Sequence, residues 1–169
     1  KLSLGGPILG DKVTFFTNLR QQTIEGHLNG FRIFTVTDSS DFYSDDPDEW
    51  ISSKSGDSTY IPMNTTDNVS ALLKVGFNLF KGIRFSLLNS YSDDTWYWYD
   101  HSMKYNPDGR VGSHKKTLYT AFQMNHMITP KLFYELKLAI MKNNTGTYLF
   151  EDSLDTRYVH DKYMENYGS

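Results

Sequence analysis

Val69-Ser70-Ala71-Leu72-Leu73-Lys74-Val75-Gly76-Phe77-Asn78-Leu79 alternates with a period of two: Val69, Ala71, Leu73, Val75, Phe77 and Leu79 are apolar, with Ser70, Lys74, Gly76 and Asn78 between them. Successive side chains of a strand point to opposite faces, so this stretch predicts a strand with one apolar face. After Lys81-Gly82 the pattern restarts, with Ile83, Phe85, Leu87 and Tyr91 on one face and Arg84, Ser86 and Ser90 on the other. So short a connection predicts a hairpin. Leu132, Tyr134, Leu136, Leu138 and Ile140 make a third apolar face opposite Glu135 and Lys137, joined to the preceding strand through Thr129-Pro130-Lys131. Toward the N-terminus, Val13, Phe15 and Leu19 stand opposite Asn18, Arg20 and Gln22. Ahead of them Gly5-Gly6-Pro7 and Asp11-Lys12 read as turn punctuation, and Leu2 and Leu4 as the stub of a strand. The expected fold is all-β, an antiparallel meander read as one domain piece over 1–169, with strands near 13–24, 69–79, 83–98, 115–128 and 132–142.

Composition excludes several classes. At 38% hydrophobic but 15% aromatic, the chain is far too rich in aromatics for a disordered polymer. No apolar run exceeds the four residues of Trp96 to Tyr99. A membrane-spanning helix needs about 20, so helical spans are excluded and a β-barrel is not. A net charge of -3 with unclustered Lys and Arg argues against a nucleic-acid partner. Zero cysteines remove disulfides, thiolate metal sites and thiol catalysis together. His27, His101, His114, His126 and His160 show no metal-ligand spacing, and no nucleophile elbow, phosphate-cradling loop or metalloprotease helix occurs. No enzyme, cofactor or metal is expected. The opening Lys1-Leu2-Ser3-Leu4 carries no initiator Met or leader, which reads as a processed protein or an internal piece.

Connections between the strands fall into two sizes that alternate. Short ones lie near 5–12, 80–82 and 129–131; long ones, rich in Asp, Asn, Gly, Pro and Ser, run from about 25 to 68, 93 to 114 and 143 onward. In a meander this puts every short turn at one end and every long loop at the other, the pattern of outer-membrane barrels. Aromatics gather correspondingly: Phe15, Phe16, Phe77, Phe80, Phe85, Phe133 and Tyr134 beside the short turns, Tyr91 and Trp96 to Tyr99 toward a long loop. Lys74, Arg84, Glu135 and Lys137 stay off the apolar face, as a polar lumen requires.

Leu4-Gly5-Gly6-Pro7-Ile8 followed by Asp11-Lys12-Val13-Thr14-Phe15-Phe16 resembles a turn and strand of the TonB-dependent receptors of the bacterial outer membrane. Tyr60-Ile61-Pro62-Met63-Asn64, Tyr105-Asn106-Pro107-Asp108-Gly109, Met127 to Leu136, and Phe150-Glu151-Asp152 with Asp155-Thr156-Arg157-Tyr158 resemble further stretches of that family in matching order. The resemblance implies a ligand-gated importer of a scarce nutrient. Its 22-stranded barrel sits in the outer membrane, with the lipid bilayer as neighbour, a plug inside, and an inner-membrane energy-transducing complex as partner. This chain departs from that pattern: it has no plug, no segment for the transducing partner, and about five full strands. It therefore reads as an early barrel portion of a receptor.

Two loop features remain as binding candidates. Asp38, Asp41, Asp45, Asp46, Asp48 and Glu49 form an acidic loop, readable as a solvated face or a cation site. Trp96, Trp98 and Tyr99 read as membrane-anchoring aromatics or as a stacking platform for a flat ligand; with Asp45 and Asp46 they are the candidate ligand contacts at the extracellular mouth. The competing reading of the whole is a β-sheet binding or adhesion module without transport.

Overall fold

The computed structural model describes residues 1–158 of the chain, so His160 lies outside the described residues. Ten strands follow in order: β1 (Leu2–Leu9), β2 (Val13–Glu25), β3 (Asn29–Phe31), β4 (Ser40–Asp41), β5 (Ile51–Ser52), β6 (Tyr60–Pro62), β7 (Thr65–Phe80), β8 (Ile83–Tyr97), β9 (Gly112–Thr129) and β10 (Leu132–Tyr148). Helical pieces among the described residues are short 3-10 turns. β1, β2, β7, β8, β9 and β10 form one six-stranded sheet in that order, while β3 pairs with β6 and β4 with β5. The expected all-β antiparallel meander is the observed one. The sheet is open, with β1 and β10 as its edges.

By compactness the chain divides into two units. The first comprises Lys1–Thr23, Thr66–Thr95 and His114–Gly146; the second is built from the long connections, Ile24–Thr65, Trp96–Ser113 and Thr147 onward.

Cross-strand bonds in the first unit set every register. Leu2 pairs with Leu19 and Ser3 with Asn18, whose Nδ2 donates to Ser3 Oγ at 2.6 Å. On the next seam Asn78 N–H donates to Lys12 O at 2.7 Å, and the Thr14 hydroxyl lies against Gly76. Asn68 Nδ2 donates to Asp94 across β7 and β8. Between β8 and β9, Met127 N–H donates to Gly82 O at 2.8 Å and Thr120 Oγ1 to Asn89 Oδ1 at 2.8 Å, with Lys116 and Asp93 3.9 Å apart. His126 Nδ1 meets Tyr134 OH at 3.1 Å across the last seam. Numbers rise on one strand as they fall on its neighbour, which makes these seams antiparallel.

Because directly paired residues share a face, these registers merge the separate apolar faces into one. Leu2, Leu4, Val13, Phe15, Leu19, the odd residues Val69 to Leu79, Ile83, Phe85, Leu87, Phe122, Leu136, Leu138 and Ile140 lie on one side. Thr14, Asn18, Arg20, Asn68, Lys74, Arg84, Ser86, Glu135 and Lys137 lie on the other. The apolar side is not covered: Leu73 is 42% exposed, Leu136 43% and Ile140 76%, and the buried hydrophobic residues among the described ones are Met63 and Ala121 alone.

Three details depart from the sequence reading. Gly5-Gly6-Pro7 is not a turn but the middle of β1, with Gly5 opposite Phe16 and Gly6 opposite Phe15. An edge strand tolerates Pro because the missing N–H can be the one that would face away from the sheet. The strands also outrun their apolar alternation; β10, expected to end at 142, continues to Tyr148. Backbone pairing needs no apolar side chains, and polar partners such as Asp94 with Asn68 bond one another along the extensions. Lastly, the apolar side carries a polar pair, Asn89 with Thr120, each satisfying the other.

Gly82, at φ 79°, closes the hairpin between β7 and β8, and a Cβ there would stand 2.8 Å from Met127 O. Gly82→Ala is expected to destabilise the folded state by about 1–2 kcal/mol, from the left-handed backbone alone. Hydrogen exchange of β7 and β8 amides checks it, with protection falling there first.

Candidate functional site

Residues 24–65 and 96–113 are mostly polar loop, yet they hold the largest fully buried side chains among the described residues. Met63 and Pro107 are fully buried, and Arg110 is 8% exposed. The Arg110 guanidinium is what joins them: Nε donates to Pro107 O at 2.7 Å, Nη1 to Met63 O and Nη2 to Pro62 O at 3.2 Å, and the group lies 5.1 Å from the Tyr97 ring centroid. Burial pushes this guanidinium below its ordinary pKa. A guanidinium this basic stays charged throughout, so its hydrogen bonds to three carbonyls are charge-assisted.

Arg32 makes a second clamp. Its Nε and Nη2 reach both oxygens of Asp108, at 2.6 and 3.1 Å, and its Nη1 reaches Asp57 at 3.0 Å. The Asp108 hydrogen bond raises the Arg32 pKa, and Asp57 is lowered chiefly by the Thr59 hydroxyl. Gly30 lets the backbone approach: a Cβ there would stand 2.7 Å from Met63 Sδ, 2.8 Å from Lys104 O and 2.9 Å from Pro107 Cβ. Tyr60–Asn64 and Tyr105–Gly109, separate in sequence, thus share one small core. The stretch at 150–158 closes on itself, with Tyr158 OH accepting from Phe150 N at 2.8 Å, and Arg157 lying 3.7 Å over the Phe150 ring and paired to Asp155 at 2.6 Å.

A cleft of about 470 Å³ opens among Trp98, Tyr99, His101, Arg110, Ser113 and Thr147. Trp98 is 72% exposed, and Tyr99 OH lies 2.9 Å from His101 Nδ1. Asp100 beside them caps the turn His101–Met103; the Ser102 hydroxyl and N–H that it accepts lower its pKa. The cleft can stack a planar or ring-faced molecule on Trp98 and bond it through hydroxyls and an imidazole.

Of the five candidate contacts, this cleft brings together Trp98 and Tyr99. Trp96 lies in β8 outside the lining, and Trp98 lies beyond the end of β8 at Tyr97. Asp45 and Asp46 are in a different part of the unit, where Asp46 Oδ1 accepts from Asp48 N at 3.0 Å and caps the turn Pro47–Glu49. The other acidic groups there serve the loop as well: Asp38 Oδ2 accepts from Thr35 N and Ser55 N at 3.0 Å, and Glu49 accepts from the Ser44 hydroxyl. Bonds from Ser55 and Thr35 hold Asp38 below its ordinary pKa. Among the described residues no three His, Cys, Asp or Glu converge as a metal site.

Sequence reasoning missed Arg32, Asp57 and Arg110. Lone charged residues in polar loops carry no periodic signal, and their partners lie far along the chain. Tyr60–Asn64 and Tyr105–Gly109 did stand out as motifs; their mutual contact did not.

No family model, curated protein or solved structure matches the chain. Among the described residues no helix is long and apolar enough to cross a membrane.

Gly30→Ala is expected to cost about 1–3 kcal/mol of stability, since carbonyl and proline neighbours cannot retreat as a flexible side chain can. A shift of the chemical denaturation midpoint checks it. Arg157, chiefly through its side-chain hydrogen bond, holds the Asp155 carboxyl at about 2 instead of 3.8. A depressed carboxyl pKa stabilises the folded form above its unfolded value and loses that contribution as pH falls. The clamp at 155–158 is therefore expected intact above about pH 4 and released toward pH 2. Carboxyl-carbon NMR titration checks this, with Arg157→Gln moving the midpoint up.

Proposed function

We propose that this chain is part of the barrel wall, with attached extracellular loops, of a TonB-dependent receptor that imports a scarce nutrient across the bacterial outer membrane. The observation that carries the reading is the uncovered apolar side shared by six consecutive antiparallel strands, opposite a side bearing Arg20, Lys74, Arg84, Glu135 and Lys137. Soluble monomers seldom leave a contiguous apolar surface running along six strands open to water. Against hydrocarbon it is the expected outer wall, and the charged side is the expected lumen.

Supporting features agree with it. Val69 to Leu79 has the length that a tilted strand needs, about 9–11 residues, to cross the hydrocarbon layer. Polar pairs such as Lys116 with Asp93 belong to the extensions, on the side of the long connections. Short turns at Gly10–Lys12, Lys81-Gly82 and Pro130-Lys131 alternate with long connections. Open edges at β1 and β10 require further strands, since unpaired backbone in lipid costs several kcal/mol per group. Transport itself rests on the resemblance of the ordered motifs. Gated passage involves no covalent step, the energy coming from the inner-membrane complex acting on the plug.

The full-length protein is expected to fractionate with outer membranes and to stay folded in detergent while aggregating without it. Leu73→Arg is expected to destabilise the detergent-folded protein by about 2–4 kcal/mol, as for a charge at mid-bilayer depth, and Lys74→Leu, on the opposite side, by much less. A full-length protein that is monomeric and folded in plain buffer, or equal costs at the two positions, overturns the reading.

A further inference from the structure

Each of the five strands β2, β7, β8, β9 and β10 places one basic side chain on the polar side of the first unit: Arg20, Lys74, Arg84, Lys115 and Lys137, in strand order. Lys115 takes that side because its neighbour Lys116 meets Asp93 on the other. Two carboxylates share the polar side, Asp94 and Glu135. Asp94 is already engaged, accepting from Asn68 Nδ2 and, at 3.1 Å, from the Ser92 hydroxyl. All five cations are exposed, and among the described residues none of them makes an ion pair. Arg20 reaches the neutral side-chain oxygen of Gln22.

On the apolar side of the same unit Asp67 and Asp93 balance Lys116 and Lys142, while the chain as a whole carries a net charge of -3. The positive excess is therefore no consequence of composition; it is gathered onto one side of the sheet against the sign of the chain. A single exposed ammonium in water needs no partner. Several of one sign along a wall, with low-dielectric material behind them, add their fields in the water in front and raise the local concentration of the opposite charge. We propose that the nutrient admitted along this wall is anionic, a molecule whose negative groups are drawn to Arg20, Lys74, Arg84, Lys115 and Lys137. The inference rests on the reading of the polar side as a lumen, and it names the substrate class which that reading leaves open. Guanidinium and ammonium groups both give anions charge-assisted hydrogen bonds. A cation meets repulsion along the same path, and a neutral solute meets no attraction.

The test uses the full-length protein in lipid vesicles, with Ser86→Cys carrying a nitroxide on the polar side, two residues along β8 from Arg84. Its collisions with a trianionic chromium oxalate complex are compared with those of a neutral nickel chelate, each normalised to a free nitroxide in solution. At low salt the anion is expected to be enriched about three- to tenfold over the neutral chelate, falling toward parity in about 0.5 M sodium chloride as the field is screened. The triple variant K74Q/R84Q/K137Q is expected to abolish the enrichment, and Lys142→Gln, on the opposite side, to leave it unchanged. If the triple variant does not fold, the salt titration carries the test alone, since only a positive surface loses anion enrichment on screening. Equal collisions of the two probes at low salt overturn the proposal. Exclusion of both probes overturns it too, because protein such as an acidic plug surface then covers the cations. A second label at Leu73 separates this inference from the wall reading. Oxygen access at Leu73 without anion enrichment at Ser86 leaves the wall standing and removes the anionic nutrient; Leu73 closed to oxygen removes the wall and the inference with it.

Discussion

A sheet with Leu, Val, Phe and Ile along one side must put that side against something other than water, and this requirement governs the first unit. Each such side chain gains about 1.5–3 kcal/mol when fully removed from water. In soluble β proteins a second sheet or a helix layer supplies the cover. Here the cross-strand pairs join the apolar rows of six strands, and among the described residues no other layer meets them. On the proposed reading lipid is the missing layer, and the same requirement explains why Arg20, Lys74, Arg84, Glu135 and Lys137 take the opposite side, whereas Asp93 and Lys116 meet each other on the apolar side only beyond its apolar stretch.

The second unit follows a different logic. Its loops have little apolar surface to hide, so its order comes from guanidinium clamps: Arg110 on three backbone carbonyls, Arg32 on Asp108 and Asp57. Met63 and Pro107 supply a core of a few side chains, with Gly30 admitting the backbone between them. Loops fixed this way hold Trp98 and Tyr99 in defined positions without a large core.

Strand positions and faces were legible in the sequence because period-two alternation is local. Val69 to Leu79 needs no knowledge of its partners to reveal an apolar side. Gly5-Gly6-Pro7 misled because glycine and proline usually punctuate, whereas on an edge strand facing Phe15 and Phe16 they pair normally. The extensions beyond the expected strands were invisible for the same reason: Asn68, or Ser113 with Thr147, looks like loop until the register is known. The clamps were not legible at all, since Arg32 and Asp108 meet across a long stretch of chain that no spacing rule spans. Acidic residues that read as a possible cation site instead cap their own loop at Asp38, Asp46 and Glu49.

The most direct measurement of the wall claim exploits the absence of cysteine from this chain. Nitroxide labels on single cysteines placed at successive positions from Ala71 to Asn78, in the full-length protein in lipid vesicles, report collisions with oxygen, which partitions into hydrocarbon, and with a water-soluble nickel chelate. The prediction is an alternation, with Ala71, Leu73, Val75 and Phe77 open to oxygen and Leu72, Lys74, Gly76 and Asn78 shielded from it. Odd positions closed to both probes would mean that protein covers them, and odd positions open to the chelate would mean that water does; either contradicts the wall.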